Sequence, residues 1–318
     1  MDSEKIQEIS MLLAAIFLSA YAVCLSLGQV LVSDIFSPLC CLMVFICIIV
    51  VGNLYKSYKY SIYCFAFGAF TWMMGDIFFF IDTHNIYSNE VMSHVSDGFY
   101  KITSFMYIAG LLINIWIDYT RSDIWKLIVK TVVFTNIIYI FSSTWFEQSL
   151  QVTIDYSAFK FNNLVGLLIA MSVITLSLII IVDRGKKHIS FFSICLFLGL
   201  FLYGILDIRY SFVEVAGIDP EANVADISFL ISIVLLGLAF TSRSIGIFYD
   251  NTIGRVRHEA GRMSLLVVIG FLLIGIVAFL VGFMSLKKII ILTFVSVIYI
   301  ILWYIIHQID KKEKEKMP

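Results

Sequence analysis

Residues 60–82 read YSIYCFAFGAFTWMMGDIFFFID, a run with no basic residue and one acid, Asp76, ahead of the closing Asp82. At about 1.5 Å per residue, a helix of this length crosses the roughly 30 Å hydrocarbon core of a bilayer. Similar runs recur along the chain, and that recurrence decides the fold class. Of 318 residues, 60% are hydrophobic and 14% charged, with a mean hydropathy of +0.96. A soluble domain carries roughly 25% charged residues. The expected fold is therefore all-α, a polytopic membrane bundle of about ten transmembrane helices.

The spans fall at about 10–32, 35–55, 60–82, 98–118, 123–143, 161–182, 189–213, 226–243, 263–284 and 288–307. The second has Pro38 in its first turn, and the eighth is short. A formal net charge of −1 lacks the basic footprint of a nucleic-acid binder. Cys24, Cys40, Cys41, Cys47, Cys64 and Cys195 all stand inside apolar runs without metal-ligand spacing, so they read as small buried hydrophobes. The opening MDSEKIQEIS has no positive n-region, so the first run reads as a retained helix.

Lys and Arg orient the spans. With the N-terminus inside, the inner loops hold Lys56 and Lys59, then Arg121, then Arg184, Lys186 and Lys187, then Arg243, Arg255, Arg257 and Arg262, with the tail KKEKEK. The outer loops hold Asp34, then Asp82, Glu90 and Asp97, then Glu147 and Asp155, then Asp219 and Glu221. That asymmetry follows the positive-inside rule. Lys287 and Lys288 are the exception, falling in an outer turn; a miscounted eighth span would invert the last hairpin.

Residues 68–82, GAFTWMMGDIFFFID, align without a gap on residues 199–213, GLFLYGILDIRYSFV. Gly68 matches Gly199, Phe70 matches Phe201, Asp76 matches Asp207 and Ile77 matches Ile208; Trp72 meets Tyr203, and Phe79 meets Tyr210. Downstream, Val95-Ser96-Asp97 pairs with Val224-Ala225-Asp226. Both segments lie on spans of the same direction, so the expected duplication is parallel. Half one covers residues 1–118 and half two 119–243. A basic linker (244–262), a hairpin (263–307) and a charged tail (308–318) follow.

Gly68, Trp72, Asp76 and Phe79 share one helical face, as do Gly199, Tyr203, Asp207 and Tyr210. Each face offers a small residue for close packing and aromatics one turn either side of the acid. The indole N–H and the phenol O–H are candidate donors to those carboxylates. Acids inside a span cost roughly 2.5–3.5 kcal/mol at the helix centre and mark functional candidates. Asp76 and Asp207 thus read either as two walls of an outward-facing site between the halves or as interhelical hydrogen-bonding groups. Asp97 and Asp226 open spans four and eight, where Asp caps a helix. Arg209 and Lys101 either reach an acid of the other half or snorkel to the interface. Glu90, His94 and Asp97 would share a face if residues 88–100 are helical, but the spacing matches no zinc motif. No metal or cofactor is expected. His188, His258 and His307 read as solvated residues at inner ends.

The segments WMMGDIFFFID…VSDGFYKITSFMYIAGLL and YGILDIRYSFVEV…VADISFLISIVLLGLAF resemble the two halves of the multi-helix membrane region at the N-terminus of bacterial diguanylate cyclases and cyclic-di-GMP phosphodiesterases. The resemblance covers roughly residues 1–243 and implies a sensory, ligand-binding membrane region in the plasma (inner) membrane, with both termini cytoplasmic. That family continues into GGDEF or EAL catalytic domains, and neither motif occurs here, so cyclic-di-GMP chemistry does not carry over. The expected function is a sensor or ligand-binding module without its own output domain. Asp76, Asp207, Trp72, Tyr203, Phe79, Tyr210, Asp97, Asp226 and Arg209 are its candidate site residues. Membrane lipids are expected partners. Residues 241–262, TSRSIGIFYDNTIGRVRHEAGR, either lie on the anionic inner leaflet or meet a signalling partner. A secondary transporter built on the repeats and a two-carboxylate intramembrane lipid hydrolase are the alternative readings.

Overall fold

The computed structural model describes residues 3–55, 58–84, 90–118, 124–150, 161–184, 191–215, 224–241 and 260–315. The basic segment 242–259, His188 and His258, and most of the connecting loops lie outside the described residues. Ten helices are described and no strand is present among them: α1 Ser3–Ser26, α2 Val30–Leu54, α3 Lys59–Thr83, α4 Glu90–Asp118, α5 Ile124–Leu150, α6 Phe161–Arg184, α7 Phe191–Val215, α8 Val224–Ala239, α9 Ala260–Leu280 and α10 Leu286–Glu315. Eight are long and apolar enough to cross a membrane; α8 and α9 contribute shorter apolar stretches, Asp226–Ala239 and Leu265–Leu280.

Large apolar side chains cover much of the outside. On α5, Trp125 is 73% exposed and Trp145 62% exposed. Twenty residues separate them, about 30 Å along a helix, which is the spacing of the two interfacial aromatic belts of a bilayer. The chain is a multi-pass helical membrane bundle.

Several boundaries differ from the sequence expectation for identifiable reasons. The first break falls at Gly28 (φ 71°) rather than near residue 33, because glycine takes the left-handed turn that ends α1. Apolar residues on both sides hide that break from hydropathy. Asp34 is consequently inside α2 and not in a loop, and Pro38 stands in the third turn instead of the first. Helix α4 begins at Glu90, so Asp97 lies in its third turn and is not a helix cap. Helix α5 runs on to Leu150 through a polar stretch. Ser143 and Thr144 donate to the Ile140 carbonyl at 3.1 Å and 2.7 Å, so their hydroxyls are satisfied within the helix.

One core joins α1–α4 to α6–α8 and includes Cys41, Phe65, Trp72, Tyr107, Val173, Tyr203 and Phe240. A second core joins the C-terminal hairpin to α5 and α6 through Phe134, Ile137, Ile179, Leu292 and Tyr299. Helices α3 and α4, like α7 and α8, pack as antiparallel neighbours along their length. Gly110 lets them close: a Cβ there would meet Phe65 at 2.8 Å and the Ser61 carbonyl at 3.2 Å.

The anomalous lysine has a partner. Lys288, at the start of α10, donates to Glu147 Oε2 at 2.5 Å near the end of α5. The turn between α9 and α10 therefore sits at the end of the bundle where α5 finishes. Helices α5 and α9 run in the same direction, so α8 counts as a full crossing despite its 16 residues. A Lys288→Met variant is expected to lose about 2 kcal/mol of stability, between the values for exposed and buried pairs. A fluorescence melt of the protein in detergent measures it, and the charge-reversed pair Glu147→Lys/Lys288→Glu should regain at least half.

Candidate functional site

The C-terminal ends of α3 and α7 and the N-terminal parts of α2, α4 and α8 gather at one end of the bundle. Asp76 sits there on α3, 8% exposed. Ser37 donates to its Oδ2 at 2.5 Å, Cys41 to the same oxygen at 3.6 Å, and Tyr100 to its Oδ1 at 2.8 Å. Ser37 and Cys41 are one turn apart on α2, so both reach a single carboxylate from one helical face. Gly75 gives the Tyr100 ring its room, since a Cβ there would lie 2.7 Å from Tyr100 Cε1. The donors are thus a serine, a thiol and a tyrosine that sequence reasoning did not single out. Cys41 is more than a small hydrophobe, though all six cysteines are free thiols.

Beside this cluster, Asp34 Oδ2 lies 3.0 Å from His84 Nε2, tying the second turn of α2 to the residue after α3. The sequence placed both residues in loops and did not pair them. Hydropathy gives no signal for such a pair, because both residues fall at the margins of apolar runs.

Trp72 and Tyr203, matched in the alignment, touch each other. Their ring centroids are 5.1 Å apart. Phe229 packs against both, at 5.7 Å and 6.0 Å, and Tyr107 meets Tyr203 edge-on at 5.4 Å. An aromatic layer from α3, α4, α7 and α8 therefore fills the seam where a cavity flanked by two acids was expected. Neither aromatic serves its neighbouring acid. The Tyr203 hydroxyl bonds Ser104 Oγ at 2.5 Å, joining α7 to α4. The Tyr107 hydroxyl is fully buried without a hydrogen-bond partner among the described residues.

Asp207 has a different environment from Asp76. It is partly buried, and its carboxylate makes no hydrogen bond or ion pair among the described residues. Lys101 on α4 is within electrostatic reach of it and is likewise unpaired. Tyr210 donates to Asp226 at 2.7 Å and not to Asp207. Asp226 is in the first turn of α8, inside the helix that starts at Val224 and not at its cap. Arg209 is partly buried and bonds neither Asp76 nor Asp97. Phe79 is 49% exposed and points away from the cluster, while Asp97 is exposed, so neither joins the site. Among the described residues no group of three metal-ligating side chains occurs; His94 is exposed, and the Glu90 side chain lies outside them.

No family model, characterised protein or solved structure matches this chain.

Proposed function

We propose that the chain is a membrane-embedded ligand-binding module of the sensory kind. It lies in the plasma (inner) membrane of a bacterium, with both termini cytoplasmic. The observation that carries this reading is Asp207 on α7, whose carboxylate has no hydrogen-bond or ion-pair partner among the described residues and is within electrostatic reach of Lys101 on α4. Buried charges are ordinarily paired or neutralised by what they bind. Asp76, by contrast, has its donors supplied by the protein and serves the architecture. The ligand-facing acid is Asp207.

The parallel duplication is part of this proposal. Tyr107 and Leu236 stand at equal distances after Asp97 and Asp226, and they are the residues nearest to a Cβ on Gly68 and among those nearest to one on Gly199. Phe229 stands where Tyr100 stands in the first half, three residues after the aligned Asp, so the second half lacks the phenol that holds Asp76. The same scaffold thus presents one satisfied acid and one available acid. Orientation rests on the Lys and Arg distribution, and signalling to a partner through residues 241–262 on their basic charge.

A stability screen against lipids and metabolites on detergent-purified protein tests the reading. A ligand that binds the folded form stabilises it by mass action, by about 2.7 kcal/mol at a hundredfold excess over Kd, and so raises the melting temperature. Asp207→Asn is expected to abolish such a shift, whereas a ligand effect that survives it unchanged defeats the assignment.

A further inference from the structure

We propose that Lys101 and Asp207 are the two poles of a site for a phosphate–ammonium zwitterion, the headgroup chemistry of an ethanolamine phospholipid. This rests on the ligand-binding reading above and names the class of ligand.

The geometry begins with the 2.5 Å bond between Ser104 and Tyr203, which fixes α4 against α7. The two helices are antiparallel there. Lys101 lies three residues before Ser104 and Asp207 four residues after Tyr203, so both stand one turn further toward the same end of the bundle. Helical register thus puts them at about one level on the two walls, within electrostatic reach of each other. Neither charged group forms an ion pair or hydrogen bond with a described residue. Of the other acids nearby, Asp76 is engaged by Ser37, Cys41 and Tyr100, Asp226 by Tyr210 and Asp34 by His84, while Asp97, one turn before Lys101, is exposed.

A simple anion satisfies Lys101 and is repelled by Asp207; a simple cation does the reverse. A molecule with both charges satisfies both poles and leaves no buried charge alone. A primary ammonium suits Asp207 because it donates hydrogen bonds, which a quaternary ammonium cannot. The surface next to the site points to a lipid source. Phe105 and Leu112, one and three turns below Lys101 on its own face of α4, are 50% and 45% exposed. An exposed apolar strip running from a charged pole toward the membrane middle suits acyl chains attached to the headgroup.

The experiment uses the full chain in detergent, melted with dioleoyl phosphatidylethanolamine, phosphatidylcholine, phosphatidylglycerol or soluble phosphoethanolamine. Wild type is compared with Lys101→Met, Lys101→Arg and Asp207→Asn, each shown to be monodisperse. Phosphatidylethanolamine is expected to give the largest shift. Lys101→Met and Asp207→Asn should each weaken its apparent affinity about tenfold or more, the effect of one lost charge-assisted hydrogen bond. Lys101→Arg should retain it, which shows that the loss in Lys101→Met is not a folding defect. An equal shift from phosphatidylglycerol that needs Lys101 but not Asp207 overturns the zwitterion and leaves the binding reading standing. Equal potency of soluble phosphoethanolamine overturns the lipid source. If no probe shifts the melt, and both single variants destabilise the bare protein, the pair is a direct salt bridge and both proposals fall.

Discussion

Removing both hydroxyls that hold Asp76, in a Ser37→Ala/Tyr100→Phe variant, is expected to lower stability in detergent by about 3–5 kcal/mol, the cost of a buried charge left without partners. The two bonds of 2.5 Å and 2.8 Å are charge-assisted, each contributing about 1.5–3 kcal/mol. Only the Cys41 thiol, a weak donor at 3.6 Å, would remain. The sharper outcome is in the triple variant. Adding Asp76→Leu to the double variant should restore at least half of the loss, because the charge that needed the hydroxyls is gone. Asp76→Leu alone should fall between the two, since it spares the desolvated acid and strands its donors. Chemical or thermal denaturation of the four proteins forms a cycle whose coupling energy is large if the three side chains act as a unit. Additive effects would mean that Asp76 is not held in this way. None of these changes should alter ligand shifts that depend on Asp207.

The apolar runs made the helical bundle legible, because length and hydrophobicity alone decide whether a segment crosses a bilayer. In the alignment of residues 68–82 with 199–213, Gly68 and Gly199, read as close-packing positions, are such positions, whereas Trp72 and Tyr203, read as donors to the neighbouring acids, instead pack against each other. What it did not locate were partners. A serine or cysteine in an apolar helix has no sequence period that names its acceptor, so Ser37 and Cys41 were unremarkable until α2 was laid beside α3. Asp76 and Asp207 looked equivalent because the alignment compares each acid's own helix. Their difference comes from the neighbouring helix, where Tyr100 donates to one and only the charge of Lys101 reaches the other. Lys288 looked like a violation of the positive-inside rule for the same reason, since its counterion is on a helix far away in sequence.

Gly199→Leu is expected to be the most disruptive small-residue substitution in the second half. A Cβ at Gly199 would lie 2.9 Å from the Ser232 carbonyl oxygen and 3.2 Å from the Leu236 nitrogen, both backbone atoms of α8. At Gly75 the obstruction is a tyrosine ring, which can rotate at the expense of its bond to Asp76. At Gly199 the Leu236 side chain (Cγ at 3.1 Å) can shift but the two α8 backbone atoms cannot, so α7 and α8 must separate. Overpacking in a close-packed interior costs about 1–3 kcal/mol, and more when the backbone has to move. Small residues set helix approach in membranes, where no hydrophobic force draws the helices back together. Separation would also pull Tyr210 from Asp226 and shift Asp207 relative to Lys101, so the variant should lose ligand response together with stability. Gly98→Ala is the control: its Cβ meets nothing within 4 Å, and the change should be neutral or stabilise by up to about 1 kcal/mol. A melt comparison decides the matter, because equal behaviour of the two variants would mean that α7 and α8 are not in backbone contact at Gly199.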